Sequence, residues 1–118
     1  MKVLFVEYPK CTTCKRAKKW LTENGIDFED RGIKENNPSK EELKGWLDKS
    51  GLEIKKFFNT SGVLYREQGM KDKVKTLSED ELLDILASDG MMVKRPIVVT
   101  ESSILVGFKE AEWEEKLK

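Results

Sequence analysis

Lys2-Val3-Leu4-Phe5-Val6-Glu7-Tyr8-Pro9-Lys10-Cys11-Thr12-Thr13-Cys14 is the stretch on which the fold turns. Val3 to Val6 has the length and composition of a short buried strand, and Tyr8-Pro9-Lys10 breaks it, because proline has no N–H to give to a sheet ladder. From Cys11 onward the apolar period becomes helical. Cys14, Ala17, Trp20 and Leu21 fall on one face, Lys15, Arg16, Lys18 and Lys19 on the other, and Gly25 supplies the stop. A strand thus hands over to a helix where both cysteines stand.

That position has chemical consequences. The first sulfur of a Cys-x-x-Cys at a helix start meets unpaired backbone amides and the positive end of the helix dipole, both of which favour an anion. Lys10, Lys15, Arg16, Lys18 and Lys19 add a basic run with no acid between residues 10 and 19. Cys11 is therefore expected to titrate below the free-thiol value and to act as nucleophile. Cys14, one turn on and on the apolar stripe, is placed to resolve a mixed disulfide on Cys11, and mild oxidation should join the two. The same spacing makes half of many zinc sites. A tetrahedral site wants four ligands, mostly Cys and His, and the chain has two Cys and no His, so no metal is expected.

Outward from this point, Ile26 to Ile33 suits a second strand. Ser39 with Glu42, and Ser78 with Glu81, are capping boxes. The first opens a helix with Leu43, Trp46 and Leu47 inward and Gly51 after its end. The second opens one with Leu82, Leu83, Ile85 and Leu86 inward, ended by Gly90. Residues 52 to 77 read as short helical fragments anchored by Phe57 and Phe58. Ile97 to Thr100 and Ile104 to Val106 form a hairpin around Glu101-Ser102-Ser103, and Lys109 to Leu117 is a last helix. The order implies an α/β protein, a mixed sheet of about four strands flanked by helices. Trp20, Trp46 and Trp113 are expected to be packing residues.

The totals narrow the function. A length of 118 residues with 38% hydrophobic content fits one domain, residues 1–118. Twenty-two basic and 22 acidic side chains cancel, so no global field draws in nucleic acid, and direct nucleic-acid binding is not expected. No apolar run is long enough for a membrane span or a signal-peptide core. Paired thiols without an export signal point to the reducing cytoplasm. The lack of histidine removes Cys-His proteases and His-based hydrolases.

A second landmark is Lys94-Arg95-Pro96-Ile97-Val98. Proline is tolerated at the first residue of a strand, and Arg95-Pro96 is a candidate cis bond. Taken with Tyr8 to Cys14, with Asn37-Pro38-Ser39-Lys40-Glu41-Glu42-Leu43 and with Phe57-Phe58-Asn59-Thr60-Ser61-Gly62, it makes nearly the whole chain resemble the arsenate reductase-like family, which includes the redox-responsive Spx regulators. The resemblance implies a thioredoxin-like sheet with a helical subdomain inserted at roughly 38–90, Cys11 as nucleophile, and Arg95 and Pro96 facing it.

The departures from the family pattern bear on activity. Arsenate-reducing members set three arginines around one catalytic cysteine. Arg95 matches one; Asn59 stands where the second would fall and Gly107-Phe108 where the third would, which leaves Arg66 as a candidate substitute. The candidate catalytic residues are Cys11, Cys14 and Arg95, and the candidate substrate contacts are Lys10, Thr12, Thr13, Asn59, Arg66 and Pro96. Three functions fit: thiol-disulfide exchange with a small thiol or protein disulfide; arsenate reduction with glutathione or thioredoxin as electron donor; and an Spx-like redox switch binding the RNA polymerase α subunit. No bound cofactor is expected in any of them.

Overall fold

Val3, Phe5 and Val6 are fully buried, and this apolar run forms the central strand β1, Lys2–Glu7, of the computed structural model, which describes residues 2–118. β1 lies parallel to β2, Asp27–Gly32, with Val3 opposite Phe28 and Phe5 opposite Asp30. On its other side it runs antiparallel to β3, Ile97–Val99, which pairs antiparallel with β4, Ile104–Val106. The sheet order is β2-β1-β3-β4. With helix α1, Thr12–Glu23, as the crossover between the parallel strands and a closing helix α6, Glu110–Leu117, this is the four-stranded mixed sheet of an α/β chain.

Two compact units result. The first takes the chain up to Gly32 together with Arg95–Lys118. Its core sets Val3, Phe5, Val98 and Leu105 of the sheet with Ala17, Trp20 and Leu21 of α1 and Trp113 and Leu117 of α6. Trp20 and Trp113 meet edge to face at 5.7 Å, and Phe108 packs on Trp113 at 4.7 Å, geometries that suit the ring quadrupoles. The hairpin turn is pinned by Thr100, whose hydroxyl accepts the N–H groups of Ser102 and Ser103 at 3.2 and 2.8 Å.

The second unit, Ile33–Lys94, is the helical segment. It holds α2, Lys40–Ser50, a 3₁₀ turn at Ile54–Phe57, α3, Val63–Glu67, α4, Met70–Thr76, and α5, Glu79–Ser88. Both capping boxes are complete. The Ser39 and Ser78 hydroxyls accept from the N–H of Glu42 and Glu81, whose carboxylates accept in return from the serine N–H groups. Gly51 ends α2 in the left-handed conformation, and Phe57 and Phe58 are buried as anchors.

Two details differ from expectation. Ile85 is only half-buried, because the buried stripe of α5 runs through Leu82, Leu83 and Leu86 and leaves Ile85 at its margin. Gly90 is not the stop of α5. The helix ends at Ser88, Asp89 turns extended, and Gly90 opens a 3₁₀ turn in which a Cβ would collide with the Ile33 carbonyl and stand 2.6 Å from Asn37 Oδ1. Close backbone approach, and not helix termination, requires the glycine.

Candidate functional site

The site is assembled by the break after β1. The Cys11 N–H donates to the Tyr8 carbonyl at 2.9 Å, closing a turn over Pro9 that brings Cys11 to the N-cap of α1. There its Sγ takes the place of the usual capping oxygen and accepts from the Cys14 N–H at 3.4 Å. Cys11 is half-buried, Cys14 fully buried, and both thiols are free.

Arg95 reaches this turn from the residue before β3. Its guanidinium lies over the Tyr8 ring, 5.1 Å from the centroid. Nη1 is buried without a protein hydrogen-bond partner. The Arg95-Pro96 bond is cis and Pro96 is buried.

These neighbours split the two thiols. Burial opposes ionisation of Cys11, but the Cys14 N–H and thiol and the Arg95 guanidinium outweigh it, and the Cys11 pKa falls below the ordinary thiol value. Burial dominates at Cys14 and pushes it up to about 12, with the nearby Cys11 sulfur adding to the rise. One thiol is thus primed to ionise while its neighbour keeps its proton.

Of the candidate residues, Cys11, Cys14 and Arg95 meet in one place, with Pro96 next in chain to the arginine. Lys10 and Thr12 are exposed beside the thiol turn and Thr13 is half-buried. Asn59 and Arg66 belong to the helical unit. The Asn59 N–H donates to the Met92 carbonyl at 2.8 Å and its carbonyl accepts from Gly62 at 3.0 Å, while Arg66 lies exposed on α3. At Gly107-Phe108 the backbone binds Pro96 and the Trp113 indole, and the Phe108 ring has Arg16 above it at 5.8 Å.

Sequence reasoning missed two residues here. Tyr8, read only as a strand breaker, is the aromatic platform for Arg95; an aromatic three residues before the first cysteine was the available signal. Glu7 ends an apolar strand yet is only 3% exposed. Burial, then the hydrogen bond and charge of Asp30, push Glu7 up to about 7, while Lys18 pulls the other way. Burial works against ionisation of Asp30, but the hydrogen bond from Glu7 and the Lys18 ammonium at 2.7 Å hold it below its ordinary value. Lys18, which the helical period puts on the face opposite the apolar stripe, is therefore committed to the β1 and β2 ends. Among the described residues no group of side chains is arranged to hold a metal ion, and no helix is long and apolar enough to cross a membrane.

Known proteins place this arrangement. The chain is 54% identical over 115 residues to the uncharacterized protein YusI of Bacillus subtilis, covering 98% of each. It superposes on an ArsC family related protein of Bacteroides fragilis with a TM-score of 0.94 at 55% identity, over 98% of this chain and 97% of that one. It is also 29% identical over 112 residues to the global transcriptional regulator Spx of Streptococcus pyogenes, covering 95% of this chain and 81% of the regulator. The ArsC family profile matches residues 6–116, nearly the full length, and the chain belongs to that family.

Proposed function

We propose that this ArsC-family protein carries out thiol-disulfide exchange through Cys11 and Cys14. The observation that carries the reading is the split between the thiols, Cys11 lowered and half-buried, Cys14 raised and enclosed. The Cys11 thiolate attacks one sulfur of a disulfide, forming a mixed disulfide and expelling the other sulfur as a thiolate. Cys14 then attacks Cys11 Sγ. The Cys11–Cys14 disulfide forms, the second partner sulfur leaves, and the Cys14 proton goes to it. Two electrons pass to the partner. Glutathione or thioredoxin returns the pair to the dithiol.

Arsenate reduction is the weaker use of the same nucleophile. A thiolate attacking an arsenate anion brings like charges together, and losing one oxyanion donor typically costs about 10²- to 10³-fold in rate. Arg95 is the arginine set beside Cys11 within the sheet unit, and Gly107-Phe108 and Asn59 stand where the family resemblance would put the other two. The Spx likeness favours one further reading, in which the same disulfide switches binding to the RNA polymerase α subunit.

An assay of the reduced protein with disulfides and with arsenate, each with glutathione and thioredoxin systems, separates these. Turnover of disulfides with arsenate several orders of magnitude slower is the expected result. Saturable arsenate reduction at low substrate would replace the proposal. Inertness toward both, with oxidation-dependent capture of the polymerase α subunit, would favour the switch.

A further inference from the structure

Five basic and no acidic residues occupy positions 10–19, and they do not all do the same thing. Lys18 is paired with Asp30 and Glu7 at 2.7 and 3.6 Å. Arg16 lies over Phe108. Lys15 and Lys19 are exposed, and among the described residues neither takes part in an ion pair.

Their spacing from the thiol is regular. Cys11, Lys15 and Lys19 are four residues apart on one helical stripe, so the Lys15 and Lys19 backbone positions stand about 6 and 12 Å along the axis from that of Cys11. The opposite stripe, Cys14, Ala17, Trp20 and Leu21, is buried. The free stripe is thus a thiol followed by two unneutralised positive charges in a protein of zero net charge.

We propose that this row is the docking track for an acidic polypeptide disulfide, with carboxylates at the second and fourth positions from the cysteine that Cys11 attacks. The inference rests on the thiol-disulfide reading above. An extended chain rises about 3.3 Å per residue, so alternate side chains on one face recur about every 6.6 Å and match the lysine spacing. A row about 12 Å long selects a chain over a small anion. Exposed positive charge raises the association rate of an acidic partner and is screened by salt.

The probe is a set of cysteine peptides capped as mixed disulfides with 2-thiopyridine, carrying Glu, Ser or Lys at the second and fourth positions on either side. Attack by Cys11 on the peptide sulfur expels thiopyridone, which is followed by absorbance in a single turnover. At low salt the Glu peptide in one of its two placements should react about tenfold or more faster than the Ser peptide, and the Lys peptide slower. The spread should collapse between about 0.01 M and 1 M salt, as the Debye length shrinks from about 30 Å to about 3 Å. Lys15→Glu with Lys19→Glu should invert the order; if that variant fails to fold, the salt dependence of the unmodified protein decides. Equal rates for the three peptides at low salt would overturn the docking track and leave the exchange reading standing. Glutathione capped with the same 2-thiopyridine and reacting as fast as the Glu peptide would overturn the choice of a polypeptide. No reaction with any peptide would sink the exchange reading itself.

Discussion

At Cys11 the protein uses a sulfur where helices ordinarily use a hydroxyl or carboxylate. An N-cap acceptor that is also the nucleophile gains most from the Cys14 N–H when it is ionised, so capping and reactivity favour the same charge state. Arg95 adds a positive charge held in place by the Tyr8 ring. Replacing Arg95 with Met should therefore raise the midpoint of Cys11 alkylation against pH, and Tyr8→Leu should move it the same way through a less ordered guanidinium; an unmoved midpoint in Arg95→Met would show that the arginine does not act on the thiol. Gly90 belongs to the same scale. Its missing Cβ lets the backbone lie against the Ile33 carbonyl, and Gly90→Ala should cost about 2–3 kcal/mol in denaturant unfolding, with a loss under 0.5 kcal/mol contradicting the close approach.

At the level of elements, the ends of β1 and β2 are joined to α1 through Glu7, Asp30 and Lys18. Between about pH 4.5 and 7 the folded chain keeps a proton on Glu7 that the unfolded chain has released, so stability should fall as pH rises through that window and level off above it. Asp30 acts only at lower pH, where its depressed value adds stability as pH rises toward the ordinary carboxylate value of 3.8. Glu7→Gln keeps a neutral donor toward Asp30 and should flatten the upper slope, which thermal unfolding across pH 5–8 will read; a slope unchanged by the substitution would place it elsewhere. The capping boxes are a simpler case. Ser78→Ala should cost about 1 kcal/mol by removing the hydroxyl that accepts from the Glu81 N–H. Both boxes, the hairpin and the strand-to-helix handover were legible in the sequence because each is a local pattern with a local cause. The end of α5 and the Glu7 cluster were not. They are fixed by contacts between distant residues, Gly90 with Ile33 and Glu7 with Asp30, and no period or cap encodes those.

Across the whole molecule, 22 basic and 22 acidic groups cancel, yet five of the basic ones and no acid fall at positions 10–19, on the turn and helix that carry the thiol. Composition alone could not reveal this, since it averages the unevenness away. The ArsC family match extends over residues 6–116, so the helical segment Ile33–Lys94 is part of the family pattern and not an addition to it. The difference in surroundings of two thiols three residues apart was legible as a helix start against an apolar stripe, and the structure adds how deeply the packed sheet unit encloses Cys14 while leaving Cys11 at its edge. That difference is tested most directly by trapping. Cys14→Ser, mixed with a disulfide substrate and analysed by intact and peptide mass spectrometry, should accumulate a mixed disulfide on Cys11. The unmodified protein should instead lose two hydrogens and release the partner, and Cys11→Ser should form no adduct. An adduct on Cys14 in Cys11→Ser, formed as fast as that on Cys11, would contradict the account.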